Sequence, residues 1–175
     1  PIRMRFGRMR ANDNEIEFPP TCHSDTVALY AYWRGKRGNR RMPARADIDP
    51  ADISKLLPGI VLVDVVSDER RYVYRLVGTG EVEVRGFDPT GKSVAQAFFG
   101  PTVEDALSCY DRVVETKAPF LDPVPFLSTN GRYVSWETLF LPLSADGTTV
   151  DKILAFSHFL PARPSEEMPG LTRRA

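Results

Sequence analysis

Two segments near the C-terminal end constrain the fold most, because each is apolar on both of its alternating faces. In Arg132 to Leu143, Val134, Trp136, Thr138 and Phe140 fall on one face, while Leu139, Leu141 and Leu143 fall on the other. Val150 to Leu160 has the same two-sided character, and Asp146-Gly147 between them is a strong hairpin turn. An antiparallel sheet with one wet face would show polar alternation, so both faces of this one must be covered. The segment Thr26 to Trp33 supplies a cover: it has helical spacing and too many aromatic residues to face water. Tyr30, Trp33, Leu139 and Leu141 are therefore the candidate surface for the arm of the same chain, a second copy or a partner.

The arm helix is expected to start at Ser24 or Asp25 as cap and to stop where Gly35 and Gly38 appear. Asp49-Pro50-Ala51-Asp52 should open a short second helix that Pro58-Gly59 ends. Ile60 to Val66 and Tyr72 to Val77, separated by Ser67-Asp68-Glu69-Arg70, form a hairpin pattern. The glycine-punctuated block Gly78 to Gly100 predicts short helices and loops. A long helix comes next: Thr102 and Asp105 make a capping-box-like pair, and Val103, Ala106, Leu107, Tyr110, Val113 and Val114 repeat at helical spacing up to about Lys117. Phe120 to Leu127 is a strand confined to an edge by Pro123 and Pro125, and Asn130-Gly131 turns it into the next. The fold class is α+β, a five-stranded antiparallel sheet with helices on one face and an N-terminal helical arm. Residues 1–23 should be a flexible tail, 24–58 the arm and lead-in, 59–160 the core, and 161–175 a second flexible tail.

A chain of 175 residues holds one such domain, and 23 basic against 23 acidic residues exclude a globally basic nucleic-acid binder. The balance conceals a split, since residues 1–48 hold ten basic and five acidic side chains. An acidic partner should therefore be sought around Arg34, Lys36, Arg37, Arg40 and Arg41. No run is long and apolar enough for a membrane span, and two distant cysteines, Cys22 and Cys109, suggest neither a disulfide framework nor a zinc site. The reducing cytoplasm fits them best.

Gly86-Phe87-Asp88-Pro89-Thr90-Gly91-Lys92-Ser93 fits every fixed position of the phosphate-binding loop. Its context does not fit, because no buried strand precedes it and Gly100-Pro101 cuts short the Val94 to Phe99 run after it, while Pro89 removes a donor. A nucleotide-binding enzyme through this loop is kept as the alternative reading. Gly78-Thr79-Gly80 begins a dinucleotide-like pattern, but Glu83 stands at its third glycine position. With only His23 and His158, no catalytic or metal cluster can be built from spacing, and an enzyme is not expected. Arg75, between Val73 and Val77, would enter the core if its face points inward, and would then need Glu137 or an anionic ligand.

Tyr72-Val73-Tyr74-Arg75-Leu76-Val77-Gly78-Thr79 with Gly86-Phe87-Asp88-Pro89-Thr90-Gly91-Lys92, and the lead-in from Tyr32-Trp33-Arg34 to Asp49-Pro50, resemble PAS domains. Over about Leu29 to Phe159 the chain is similar to the small single-domain PAS proteins of alphaproteobacteria. The resemblance implies a non-enzymatic sensory or regulatory module that binds a small ligand in a pocket, or a signalling protein, as a homodimer. It names Arg75, Phe98, Tyr110, Trp136 and His158 as pocket residues, with Arg75 as polar anchor. The Asn-Cys-Arg flavin motif of that family and a histidine near the long helix for haem are both missing, so neither cofactor is expected, and nor are nucleic acid or membrane partners.

Overall fold

The computed structural model describes residues 15–128 and 131–161. The elements run α1 (Ser24–Arg37), β1 (Ile60–Val65), β2 (Tyr72–Val77), α2 (Thr79–Arg85), α3 (Val103–Thr116), β3 (Phe120–Asp122), β4 (Phe126–Leu127), β5 (Tyr133–Leu143) and β6 (Lys152–Pro161), with 3-10 turns at Arg45–Asp47 and Leu57–Gly59. The sheet is antiparallel in the order β2-β1-β6-β5-β3, and β4 also pairs with β5. It has six strands rather than the expected five, because Pro123 and Pro125 split Phe120 to Leu127 into β3 and β4 on the same edge of β5.

Both faces of the sheet are covered. On one, Leu139 pairs with Phe156 and Leu141 with Leu154, all buried, and α1 lies across β5 and β6 with Leu29, Tyr30 and Trp33 beneath it. The Trp33 indole N–H donates to the Pro142 carbonyl at 2.9 Å, so the polar end of this ring is satisfied inside the layer. On the other face α3 packs over β3 and β5. Its Thr102 hydroxyl accepts from the Asp105 N–H at 3.0 Å and lies 2.7 Å from the Asp105 carboxylate, as the capping pair predicts.

Three local expectations are corrected. The cap of α1 is His23, whose Nδ1 accepts from the Asp25 N–H at 3.2 Å, rather than Ser24 or Asp25. Asp49 does cap the following turn, accepting from the Ala51 N–H at 2.9 Å, but Pro50 to Leu56 stay in successive tight turns and never become an α-helix. Of the expected N-terminal tail, Glu15 to Cys22 packs on α1: the Ile16 N–H reaches the Tyr30 hydroxyl at 3.3 Å, and the Phe18 ring stands edge-on to Tyr30 at 5.2 Å. Of the tail expected over 161–175, Pro161 ends β6 and the rest lies outside the described residues, as do residues 1–14 and Asn130.

Two β-bulges decide where side chains point. In the β1–β2 ladder Leu62 pairs with Leu76 and Val63 with Tyr74, leaving Arg75 as the extra residue. In the β5–β6 ladder Ser135 pairs with Phe159 and Glu137 with His158, leaving Trp136 as the extra residue. A bulge residue has no cross-strand partner and turns the strand locally, which carries its side chain off the alternation.

Candidate functional site

The helix after β2 is only seven residues long, and its placement depends on two glycines. A Cβ on Gly78 would lie 2.3 Å from the Leu57 carbonyl oxygen and 2.4 Å from that of Pro58, so only glycine lets β2 turn into α2 there. Gly80 sits against Pro58 in the same way, at 3.0 Å. These contacts, not a nucleotide, account for Gly78-Thr79-Gly80. They press α2 onto the sheet and bury two charges four residues apart, Glu81 at 1% exposure and Arg85 at 8%. Arg85 Nε donates to Glu81 Oε2 at 3.0 Å, and Nη1 donates to the Tyr74 hydroxyl at 3.3 Å and the Ala97 carbonyl at 3.4 Å. The guanidinium also lies over the rings of Tyr74 and Phe99, at 5.0 and 4.4 Å. Burial pushes the Glu81 carboxyl upward, against the opposing pull of Arg85.

Beside this pair the core is not filled. A cavity of about 40 Å³ lies between the sheet and α2 and α3, lined by Glu81, Arg85, Tyr110, Thr138 and Ser157 among others. At roughly 10–15 Å³ per water centre it holds about three waters. Thr138 and Ser157 share a hydrogen bond at 3.1 Å across β5 and β6. At the α3 side the Cys109 thiol is 3.6 Å from Asp122 Oδ2, and burial followed by the Asp122 charge pushes it up to about 12, so it stays an unreactive thiol. Burial also raises the Asp122 carboxyl and the Tyr110 phenol. The gap as it stands is smaller than a flavin or a haem.

Of the pocket residues expected from sequence, Tyr110 lines this cavity. Arg75 is exposed, not an inward anchor, because it is the unpaired residue of the β1–β2 bulge; the buried arginine is Arg85. Trp136 is 38% exposed at the β5 bulge. Phe98 is half-buried against the core, while its neighbour Phe99 lines the cavity. His158 is on the opposite face, under the start of α1, where it stacks on His23. The missed pair carried one signal, the Glu-x-x-x-Arg spacing of Glu81 and Arg85, which is salt-bridging spacing only once the segment is helical.

On the α1 face a second polar cluster forms. Glu137, buried and opposite His158, accepts at Oε1 from the His23 N–H at 3.0 Å, the Thr26 hydroxyl at 2.5 Å and the Cys22 thiol at 3.2 Å. The rings of His23 and His158 stack at 3.6 Å, 16° from parallel. Burial first, then Glu137, pushes the Cys22 thiol up to about 12. Tyr30, Trp33, Leu139 and Leu141 are all buried within one chain, so the expected dimer or partner surface is consumed by the chain's own arm. The basic arm is also engaged: Arg34 pairs with Glu15, Lys36 with Asp52 and Arg40 with Asp47, while Arg41 donates to the carbonyls of Thr116 and Lys117.

The phosphate-loop alternative is overturned by the backbone. The Gly91 N–H donates to the Tyr74 carbonyl, that of Lys92 to Pro89, and that of Val94 to Tyr72, so the amides a phosphate would need are already taken, two of them by the edge of β2. Asp88 accepts from the Thr90 N–H and hydroxyl, and no helix begins at Ser93. Among the described residues no group of three or more His, Cys, Asp or Glu side chains could hold a metal, and no helix is long and apolar enough to cross a membrane.

Comparison with known proteins supplies the family. No curated protein matches the chain. Among solved structures it is similar to a light-oxygen-voltage domain studied with a flavin analogue, at 12% identity and a TM-score of 0.48 over 63% of this chain and 82% of that one. It is also similar to the light-state structure of the blue-light photoreceptor Aureochrome1 LOV, at 10% and 0.46 over 62% and 86%. The light-state dimer of the fungal blue-light photoreceptor Vivid matches at 11% and 0.47 over 81% and 97%. A family model described as PAS domain matches residues 21–157, well over half of the sequence, and the chain therefore belongs to the PAS domain family.

Proposed function

We propose that this chain is a non-enzymatic sensory or regulatory module that takes a small ligand into the cavity between its sheet and α2 and α3, and passes the state of that cavity to a protein partner. The observation that carries the reading is the cavity itself: in a core packed on both faces, a gap adjoins a buried ion pair and is ringed with polar groups. Ligands in concave, mostly apolar sites are oriented by a few such groups. The route outward is short. Thr138 and Ser157 face the cavity, and the residues beside them, Glu137 and His158, face α1. A ligand that shifts the first pair moves the strands that hold the arm.

A second copy or other partner must dock on a surface other than Tyr30, Trp33, Leu139 and Leu141 while α1 covers the sheet; size-exclusion chromatography with light scattering tells whether the chain pairs. The ligand part is tested by native mass spectrometry of protein isolated from its own host, alongside an Ala155→Leu variant that fills the gap. The expected result is a small retained mass on the wild type that the variant lacks. A bare wild type would make the chain a structural interaction module with a filled core.

A further inference from the structure

The guanidinium of Arg85 brings more donors to the core than the core uses. An arginine side chain carries five N–H groups. Three are spent here: Nε donates to Glu81 Oε2, and Nη1 donates to the Tyr74 hydroxyl and to the Ala97 carbonyl. The N–H groups of Nη2 meet no hydrogen-bond partner among the described residues. This nitrogen is not sealed in either, because the enclosed side-chain nitrogens and oxygens without a partner are Arg37 Nε and Ser135 Oγ. An unpaired nitrogen that is not enclosed touches open space. The Arg85 side chain is only 5% exposed and lines the gap, so that open space is the gap.

Other donors in the lining are committed to each other or to the walls. Thr138 and Ser157 share a hydrogen bond at 3.1 Å, and the Cys109 thiol reaches Asp122 Oδ2 at 3.6 Å. Nη2 therefore stands out as a charged donor with free capacity, and a donor left unmatched in the core costs stability unless a water or a ligand accepts from it. The complementary group is an oxygen with lone pairs, and a charge-assisted bond to a guanidinium is among the stronger ones available. Because both Nη1 hydrogens are taken by the protein, the two-pronged grip across Nη1 and Nη2 is closed. A ligand oxygen is held end-on, by one nitrogen.

We propose that the gap binds a small molecule through a carbonyl or carboxylate oxygen that accepts from Arg85 Nη2, with the rest of the molecule against Val61, Phe140 and Ala155 of the lining. This deepens the pocket reading above and rests on it. Carbonyl and carboxylate present the same acceptor to Nη2, and the charge of the ligand is read by the arms of the test. Its size is bounded by the gap, about three waters, unless the walls move.

The test is a titration of the full chain with acetate, acetamide and ethylammonium, which has donors but no acceptor. It is followed through the Arg85 guanidinium resonances and the backbone amides of Tyr110, Thr138 and Ser157. The expected result is saturable shifts with acetate or acetamide, at least about tenfold tighter than with ethylammonium, a discrimination of about 1.4 kcal/mol. Acetate ahead of acetamide makes the ligand an anion, and the reverse order makes it a neutral carbonyl. Arg85→Lys, which keeps the charge beside Glu81 but removes Nη2, should weaken the better probe at least about tenfold. Should that variant not fold, Ala155→Leu, which fills the gap, should abolish the same shifts. Ethylammonium binding as tightly as the better oxygen probe, and lost in Ala155→Leu, would overturn the acceptor assignment and leave the pocket reading standing. Shifts that the folded variants leave unchanged would place binding elsewhere and also overturn it. If none of the three binds, the molecule retained by protein from the host decides. One bearing such an oxygen upholds the assignment, one without it overturns the assignment alone, and a bare protein overturns the pocket reading as well.

Discussion

Replacing Arg85 by Met isolates the buried pair on which the cavity wall depends. The methionine chain preserves most of the volume between Tyr74 and Phe99 but removes the cation, leaving Glu81, at 1% exposure, as a buried carboxylate without its partner. Breaking a buried pair in this way costs about 3–5 kcal/mol, against a total stability of roughly 5–15 kcal/mol for a domain of this kind. The expected fall in melting temperature is roughly 6–20 °C. The double variant Glu81→Leu with Arg85→Met replaces the pair by apolar groups and should recover at least half of the loss, since the stranded charge is gone. Acid supplies an internal control. In the single variant the Glu81 carboxyl titrates above its unfolded value, so the native state binds the proton more readily and the deficit shrinks as pH falls. Urea unfolding of wild type, single and double variants at neutral and mildly acidic pH measures all of this. A single-variant loss below about 1 kcal/mol, or a double variant no better than the single, would refute the claim that these charges are a desolvated pair.

Three further outcomes rest on particular contacts. His158 is held below its ordinary value, first by burial and then by the His23 ring, against the opposite pull of Glu137 and Asp25. Its contribution is therefore complete above the free imidazole value near pH ~6.5 and is lost as pH falls from there through the lower folded value; His158→Gln should flatten the stability slope between neutral and mildly acidic pH, and an unchanged slope would contradict the burial of this imidazole beside His23. Gly78→Ala should destabilise by about 1–3 kcal/mol or more, because the added methyl meets two carbonyl oxygens; thermal unfolding checks it, and a neutral result would mean that the β2–α2 turn is looser than the 2.3 Å approach implies. Lys92→Ala should leave stability nearly unchanged, with calorimetry showing no heat for ATP or GTP with magnesium on either protein; nucleotide heat that the variant abolishes would restore the phosphate-loop reading.

The parts of the fold legible in sequence are those where local signals agree with tertiary packing. α3 has a capping pair and an apolar stripe, and Asp146-Gly147 turns where a hairpin turn was expected, with Gly147 at φ 79°. The two-sided apolar character of β5 and β6 correctly required a cover for the second face, and α1 of the same chain provides it. What stayed hidden has two causes. Alternation assumes an unbroken ladder, and the two side chains it wrongly sent inward, Arg75 and Trp136, are the extra residues of the two bulges, which leave no local mark. The second cause is α2: Thr79-Gly80-Glu81-Val82-Glu83-Val84-Arg85 has no apolar stripe, and its helix is held by burial against Pro58 and by an ion pair that only the folded core creates. The candidate site sits on that segment. Of the residues that line the gap, the sequence pointed to Tyr110, on the legible helix, and not to Glu81 and Arg85, on the illegible one.

On the proposed function, the gap beside Glu81 and Arg85 is a binding site and not a packing defect. A crystal structure of the protein purified from its own host, without added ligand, tests it most directly. The expected result is density for a small non-water molecule bounded by Glu81, Tyr110 and Ser157. A gap filled by ordered waters alone, or closed by the surrounding side chains, would contradict it.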